Sequence, residues 1–237
     1  MARSPIWQTI AQTLREDISA GHYLPGGKMP TEAQLAERFG VNRHTVRRAL
    51  KDLADAGTVF ARRGAGVFVT AKPTPYPIGR RVRFHQNLAA MGRIADRKLL
   101  RLETRSADKT ERSQLELPEH APVHIYEGVS FADRAPIALF VTAFPAEMFP
   151  ALTEALQQTF SVTEALKSCG LKDYTRIRTQ LTAERANSAQ AAHLRINEGA
   201  PLLKTESVNI DGTGSPVEYG QTWFVGDRVT LTVSEDD

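Results

Sequence analysis

Cationic and polar side chains crowd the start of one predicted helix, which runs from about Arg43 to Ala56. Arg43 and Arg47 are four residues apart, so they share a helix face and can reach guanine edges or phosphates together. Core spacing on the opposite face is kept by Val46, Ala49, Leu50, Leu53 and Ala54. This division predicts a helix whose first turns contact nucleic acid while its other side packs on a domain core. Further candidates for the same contact are Thr31, Asn42, His44, Thr45 and Arg48.

A second cationic group lies between two β-like runs, Thr58–Ala61 and Val67–Thr70. Its residues are Arg62, Arg63, Gly64, Ala65 and Gly66. Glycine has no side chain and can lie flat against a sugar-phosphate backbone, while arginine supplies charge for phosphate or minor-groove contact. We expect the two arginines and the two glycines to form a hairpin tip that contacts DNA. The alternative is an ordinary charged turn.

The elements that must position these groups can be predicted from helix starts and stops. An apolar residue at every fourth position from Ile6 to Ile18 predicts a first helix. The segment Thr31–Gln34 is a capping box for a second helix, which stops at Gly40. Asn42 is a preferred N-cap for the third helix, and Gly57 ends it. Helix, helix-turn-helix and hairpin follow each other in the order of a winged helix.

Charge is divided unevenly along the chain, although the net charge of the 237 residues is only +3. Residues 1–70 and 71–100 each carry an excess of Lys and Arg, whereas the remainder carries an excess of Asp and Glu. A basic end on an acidic body is expected when that end meets a polyanion. The alternative is a solvated surface whose charges segregate without function.

Prolines 73, 75 and 77 occupy alternate positions in the segment 72–81. Proline at such spacing disfavours helices and central strands and favours an extended, semi-rigid linker. We therefore expect a winged-helix domain at residues 1–71, a linker at 72–81, and a larger domain at 82–237.

The larger domain contains an internal repeat, in which residues 115–131 align without gaps on residues 194–210. Each copy has a helix end, an E-x-A-P turn and a strand, and a turn and a second strand follow. Further strands are predicted at Lys98–Ser106 and Tyr174–Glu184. Two related helix–hairpin units with these strands predict an α+β domain around an antiparallel sheet.

The run LPGGKMPTEAQLAERFGVNRHTVRRALKDLADAGTVFARRGAGVFV resembles the DNA-binding domain of GntR-type bacterial transcription regulators along its whole length. In that family the arginine after the turn, the arginine four residues later, the neighbouring polar residues and the glycine of the wing tip touch DNA. The resemblance assigns these roles to Arg43, Arg47, Asn42, His44, Thr45 and Gly64. Some relatives place another DNA-contacting arginine where this chain has Ala33.

The rest of the chain, from about residue 80 to 235, resembles the UTRA ligand-binding domain of the HutC branch, a chorismate-lyase-like fold. The resemblance is carried by R-F-x-x-N-L at Arg83–Leu88, S-V-T-E-A-L at Ser161–Leu166 and S-P-V-E-Y at Ser215–Tyr219. Within the branch, the chain is most similar to regulators of phosphonate utilisation (PhnF-like).

The resemblance implies a cavity for a small anionic effector. Candidate effector-binding residues are Arg83, Phe84, His85, Ser161, Arg178, Glu218 and Tyr219. Each candidate has a structural alternative: a basic linker for the first group, a helix cap for Ser161, and satisfied polar residues of core strands for the others. Many UTRA domains bind ligand acids with an R-x-R pair, but the corresponding positions here are Gly128 and Ser130. The usual anion clamp is therefore missing.

The sequence contains no H-E-x-x-H, G-x-S-x-G, P-loop or G-x-G-x-x-G motif, so neither catalysis nor a metal or other cofactor is expected. The single cysteine, Cys169, suits a reducing cytoplasm. The expected protein is a homodimeric repressor whose partners are double-stranded operator DNA with an inverted repeat and a small anionic effector, with no membrane. Alternatives are an activator or a DNA binder that does not respond to ligand, and a lyase-like enzyme.

Overall fold

The chain folds into two units, divided between Lys72 and Pro73. The computed structural model describes residues 5–62, 64–70, 73–79, 88–89, 94–159 and 161–233. Within these ranges, no helix has both the length and the apolar character needed to cross a lipid bilayer. The first unit is a winged helix-turn-helix, and the second is an α+β domain built on an antiparallel sheet.

Three helices belong to the first unit: α1 (Ile6–Ser19), α2 (Glu32–Phe39) and α3 (Arg43–Asp55). The predicted capping box is confirmed, because Thr31 Oγ1 accepts from the backbone N–H of Gln34 at 3.3 Å and Gln34 Oε1 accepts from the backbone N–H of Thr31 at 2.8 Å. Gly40 ends α2 with a φ of 65°, a left-handed conformation. Asn42 then caps α3, where its Oδ1 accepts from the backbone N–H of Thr45 at 2.9 Å.

The predicted hairpin consists of β1 (Val59–Arg62) and β2 (Gly66–Val69), which pair in antiparallel register. The segment before α2 is joined to this hairpin by an isolated antiparallel bridge between Lys28 and Phe68. The backbone N–H of Met29 also donates to the carbonyl of Val67 at 2.8 Å. The loop that leads into α2 is therefore fixed to the hairpin.

One core unites the helices and the hairpin of the first unit. Its buried members are Ile10, Ala11, Leu14, Met29, Leu35, Val46, Ala49, Leu50, Leu53, Val59 and Val69. Two residues predicted for the buried face are exposed instead: Ile6 has 64% of its surface exposed, and Ala54 is also exposed. Both lie at a helix end. The prediction is wrong there because apolar periodicity indicates which face of a helix is buried but not how far along the helix the packing extends.

The proline-rich segment is in part a strand of the second unit rather than a free linker. β3 (Thr74–Pro77) pairs in parallel with the last strand of the described chain, β10 (Val229–Thr232). The backbone N–H groups of Thr74 and Ile78 donate across this pair at 2.7 and 3.0 Å. Alternate residues of a strand point their N–H groups to the same side, so the prolines at 75 and 77 remove donors only from the opposite edge. The expectation of a linker is therefore corrected for residues 74–77.

Six antiparallel strands form the main sheet of the second unit, in the spatial order β4-β5-β6-β9-β8-β7. They are β4 (Ala95–Ser106), β5 (Pro122–Ala132), β6 (Ala135–Pro145), β7 (Thr175–Arg185), β8 (Pro201–Ile210) and β9 (Pro216–Val225). The helices between them are α4 (Lys109–Leu115), α5 (Leu152–Thr159), α6 (Val162–Ser168) and α7 (Ser188–Leu194).

The predicted repeat is confirmed by the positions of these elements. The sequence offset from α4 to α7 is the same at the start and at the end of the two helices. It equals the offset from the start of β5 to the start of β8. Both helices open with a capping box, on Asp108 and Asn187, and both end at a left-handed residue, Glu116 and Arg195. Strands β6 and β9 lie together at the centre of the sheet, with β4 and β7 at its edges. The two copies are therefore related by an approximate twofold axis.

Candidate functional site

The start of α3 presents its polar side chains on an exposed surface of the first unit. Asn42, Arg43, His44 and Arg47 are all exposed. Asn42 Oδ1 also accepts from the hydroxyl of Thr45 at 3.0 Å, which orders the side chains around the helix start. The structure thus brings these five predicted residues together at one end of the helix.

Arg47 is held in a fixed direction by a carboxylate on the neighbouring helix. Its Nη2 and Nε donate to the two carboxylate oxygens of Glu32 at 2.6 and 2.9 Å. This fork-like ion pair holds the pKa of the Glu32 carboxyl below its usual range, mainly through the hydrogen bond from Arg47. The pair joins α2 to α3 and leaves the Arg47 side chain exposed.

Two other predicted DNA-binding residues are engaged within the first unit. The guanidinium of Arg48 lies 4.6 Å from the ring centroid of Trp7 on α1, so this side chain contributes to helix packing. The hydroxyl of Thr31 forms the cap of α2. Arg48 lies away from the face shared by Arg43 and Arg47, since it follows Arg47 by one residue and a helix turns about 100° per residue.

The hairpin tip has the backbone shape that its glycines allow. Gly64 and Gly66 have φ angles of 76° and 111°. The guanidinium of Arg62 lies 5.3 and 5.0 Å from the ring centroids of Phe60 and Phe68, so it is supported on the hairpin surface. Arg63 lies outside the described residues.

Lys28 is a cation beside the hairpin that sequence reasoning missed. A Cβ atom added to Gly66 would lie 2.9 Å from its Cε, so the exposed Lys28 side chain runs along the hairpin tip. No pattern in the local sequence could have identified Lys28. Its position is set by the backbone bridge between Lys28 and Phe68, which is a tertiary contact.

The second unit contains a cavity of about 250 Å³ on one face of the main sheet. Of the predicted effector residues, Ser161 and Glu218 line this cavity. Arg83, Phe84 and His85 lie outside the described residues. Other polar residues in the lining are Tyr76, Arg97, Ser130, Thr142, Thr163, Glu164, Tyr174, Arg176, Thr205, Ser207, Asn209 and Thr222.

Arg178 and Tyr219 are placed away from the cavity. Tyr219 follows Glu218 on a strand, and it points to the opposite face of the sheet because successive side chains alternate. Its hydroxyl donates there to Glu206 at 2.8 Å. Arg178 donates to Gln114. The register of β7 shifts between Arg176 and Arg178, so the extra residue turns Arg178 away while Arg176 faces the cavity.

Two arginines in the lining, Arg97 on β4 and Arg176 on β7, were missed by sequence reasoning. Their sequence separation equals the offset of the repeat, which was the signal that could have found them. Arg97 lies opposite Ser130 in the sheet, and Arg176 lies opposite Asn209. These are equivalent pairs in the two copies.

Hydrogen bonds connect one of these arginines to the carboxyl group of the cavity. Arg176 Nε donates to Asn209 Oδ1 at 3.2 Å, and Asn209 Nδ2 donates to Glu218 Oε2 at 2.7 Å. Desolvation raises the pKa of the Glu218 carboxyl, against the smaller opposing effects of Arg176, Asn209 and Arg97. Burial also raises the pKa of Tyr76, which lies within reach of both arginines.

The absence of the R-x-R pair has a packing explanation at its first position. A Cβ atom at Gly128 would lie 2.6 Å from the carbonyl oxygen of Lys98 and 2.8 Å from Cζ of Phe140. Both distances are shorter than real Cβ contacts allow. The ring of Phe140 thus occupies the place where a side chain from position 128 would begin.

Two family models match this chain. The model described as "Bacterial regulatory proteins, gntR family" matches residues 7–69, and the UTRA domain model matches residues 90–230. The chain belongs to the GntR family. It has the GntR winged-helix domain followed by the UTRA domain of the HutC branch, and regulators of this family bind DNA.

Relatives of this GntR regulator match it over nearly the whole chain. An uncharacterised HTH-type transcriptional regulator of Rhizobium meliloti is 39% identical, covering 96% of this chain and 94% of its own. The probable transcriptional regulator PhnF of Escherichia coli is 31% identical with the same coverage. The crystal structure of PhnF from Mycobacterium smegmatis is 26% identical, with a TM-score of 0.63 over 95% of this chain and 98% of that chain.

Proposed function

We propose that this regulator is a homodimeric repressor that binds an inverted-repeat operator and is released from it by a small anionic effector bearing a phosphate or phosphonate group. The observation that carries the proposal is the cavity of the UTRA domain, which contains Arg97 and Arg176. Guanidinium groups match the oxygens of phosphorus acids in charge and in bidentate geometry. The two arginines therefore supply an anion site although the R-x-R pair is missing.

The DNA-binding part of the proposal is supported by the exposed start of α3. Arg43 and Arg47 share one face there, and Asn42 and His44 flank them. The hairpin tip adds a second basic surface, with Arg62 supported on aromatic rings and Gly64 free of a side chain. Helix starts of this kind enter the major groove, while a wing contacts phosphates or the minor groove.

Repression and dimerisation are supported by relatives and by the limits of DNA recognition. The transcriptional repressor NagR of Bacillus subtilis is 25% identical over 96% of this chain and 93% of its own. A single recognition helix contacts too few base pairs for useful specificity, so two copies on a symmetric site are expected. The effector then acts by favouring a spacing of the two DNA-binding units that fits the operator poorly.

Operator release in the presence of phosphorus compounds tests this function. A fluorescent duplex, isolated by selection with the full-length protein, is bound at a protein concentration near half saturation. Inorganic phosphate, alkylphosphonates and sugar phosphates are then titrated, and anisotropy reports release. We expect one of these classes to release the DNA, and Arg176→Gln to bind the operator normally but to lose the response.

Arg178→Gln is the matched control, because it removes the same charge from the same strand outside the cavity. It should respond as the wild type does. A compound that binds the protein tightly yet leaves operator affinity unchanged has no preference between the two conformations and is not the inducer. If none of the three classes releases the operator, the proposed effector class is wrong.

A further inference from the structure

The two cavity arginines come from the two opposite edges of the main sheet. The internal repeat places Arg97 and Arg176 at equivalent registers, next to Ser130 and Asn209 respectively. Because the copies are related by an approximate twofold axis, one cation enters the cavity from each copy. The duplicated fold thus provides two guanidinium groups, one from β4 and one from β7. The missing R-x-R pair would have lain on β5, so these two arginines do not depend on it.

Different neighbours hold each guanidinium. That of Arg97 lies 4.9 Å from the ring centroid of Phe140. Stacking of this kind uses the face of the planar group and fixes the direction of the Arg97 side chain, which lines the cavity. Arg176 donates through Nε to Asn209 at 3.2 Å, and its side chain lines the cavity.

The same cavity also contains carboxyl groups, which a site for a pure anion does not need. Glu218 and Glu164 both line it, but Glu164 is exposed and paired with Lys167 at 3.3 Å. Glu218 Oε2 accepts from Asn209 at 2.7 Å, and no group among the described residues donates to its Oε1. That oxygen lies 3.9 Å from the Cβ position of Gly220, another residue of the lining. Glu218 is half-buried, and no cation among the described residues forms an ion pair with it. In its ionised form such a carboxyl group is costly to bury and repels an anionic ligand.

We propose that the effector is a compact zwitterion whose acid group binds Arg97 and Arg176 and whose ammonium group donates to Glu218. This inference rests on the proposed function, in which the cavity is the effector site, and it adds a second charge of opposite sign to the ligand. The cavity volume of about 250 Å³ is smaller than the roughly 300–1,000 Å³ of pockets for drug-sized ligands, which favours a short chain between the two charges.

The proposal predicts the sign of the pH dependence. The groups around Glu218 are Arg176 on β7, Asn209 on β8, Arg97 on β4 and Tyr76 on β3. Desolvation raises the pKa of Glu218, so in the empty cavity it ionises at a higher pH than an ordinary carboxyl group does. An ammonium group favours the ionised form, so affinity for a zwitterion rises with pH through this pKa. A ligand with only an acid group shows the opposite trend.

Calorimetry on the full-length protein tests the inference with ligand pairs that differ only in the amine. An alkylphosphonate is compared with the ω-aminoalkylphosphonate of equal chain length, and an alkyl carboxylate with its ω-amino counterpart. At least one amino compound should bind about tenfold tighter than its partner, the expected effect of a hydrogen bond between charged groups. Glu218→Gln should bind both members of that pair equally and should not weaken the binding of the compound without the amine.

Glu127→Gln is the control, because it removes a carboxylate from β5 outside the cavity. It should keep the preference for the amine. The ratio of wild-type to Glu218→Gln affinity for one amino compound should rise with pH, since the ionisation of the ligand cancels in this ratio. A flat or falling ratio overturns the inference.

Three further results overturn it: equal binding within both pairs by the wild type, a preference that survives in Glu218→Gln, or equal weakening of both members in that variant. The last result means that Glu218 only positions Arg176 through Asn209. Absence of binding by every compound also overturns it. Amine-dependent binding that never releases the operator refutes the proposed function and leaves this inference intact. Release by both members of a pair with equal potency refutes only the inference.

Discussion

Arg43 and Arg47 share the exposed face of α3, but only Arg47 is held by a carboxylate, that of Glu32. We expect Arg43→Ala and Arg47→Ala each to weaken operator binding roughly 5- to 150-fold, because each loses a charged contact to a base edge or phosphate. A lost base contact also relaxes the preference at one base pair. Anisotropy titrations on the operator and on single-base variants measure both effects.

Arg48→Ala is the matched variant on the same helix. Its guanidinium packs on Trp7, so its removal should affect the stability of the winged helix more than operator affinity. If Arg43→Ala and Arg47→Ala bind the operator as the wild type does while remaining folded, α3 does not read the DNA.

The ion pair between Glu32 and Arg47 predicts a pH-dependent contribution to stability. In the folded protein the pKa of Glu32 lies below its ordinary value of 4.5. The stabilising contribution is therefore complete above the unfolded pKa and is lost as pH falls through the folded pKa. Glu32→Gln should be less stable than the wild type at neutral pH, and this difference should shrink in acid.

Denaturant unfolding can follow this unit separately. The chain has two tryptophans, and in a Trp223→Phe background Trp7 on α1 reports the winged helix alone. A difference in the free energy of unfolding that is constant from neutral pH to below 4 contradicts the assignment to an ion pair. An exposed pair of this kind contributes modestly, so the comparison needs both proteins under the same conditions.

The residues of the winged helix could be predicted because their signals are local. Thr31 and Asn42 cap helices that begin at the next residue, and Gly40 ends one. The cavity residues could be predicted only in part, because their placement depends on strand register. A single bulge in β7 separates Arg176, which lines the cavity, from Arg178, which does not.

At the scale of the elements, Gly128 fixes how closely β4 and β5 approach over the Phe140 ring. Gly128→Ala should destabilise the UTRA domain by about 1–3 kcal/mol, the usual cost of overpacking. Unfolding monitored by Trp223 in a Trp7→Phe background measures this cost. An arginine placed there to restore the R-x-R pair should be tolerated still less.

Gly212→Ala is the control for this substitution, because no atom lies within 4 Å of the added Cβ. It should change the free energy of unfolding little. If Gly128→Ala is as stable as Gly212→Ala, the strands can separate without cost, and packing does not explain the missing clamp.

Elements that repeat in the sequence also repeat in the structure, which is why much of the fold could be predicted. The helices that Asp108 and Asn187 cap have the same length and the same left-handed ends. The segment at 74–77 could not be predicted in this way, since it becomes a strand only by pairing with Val229–Thr232 far along the chain. The spacing of the prolines shows only that one edge of the segment lacks N–H donors. That the other edge pairs with a strand is visible only from the tertiary structure.

At the scale of the whole molecule, the duplicated domain and the winged helix differ in where their charged side chains lie. The first unit presents arginines to solvent, whereas the cavity holds Arg97 and Arg176 together with carboxyl groups. An exposed basic face attracts any polyanion, while a lined cavity selects a ligand by shape and charge pattern. If effector and operator oppose each other, each must weaken the binding of the other by the same factor.

The proposed dimer predicts the form of the operator. Two winged helices related by a twofold axis should protect an inverted repeat whose half-sites lie about one helical turn, roughly 10 bp, apart. A duplex with one half-site scrambled should bind far more weakly than the full site, because one recognition helix then contacts nonspecific sequence. Affinity should also fall steeply with salt, since arginines on both subunits displace counterions from phosphates. Footprinting with anisotropy at several salt concentrations measures these properties, and sedimentation gives the mass of the complex. Protection of a single asymmetric half-site by one copy of the chain contradicts the dimer, whatever the effector proves to be.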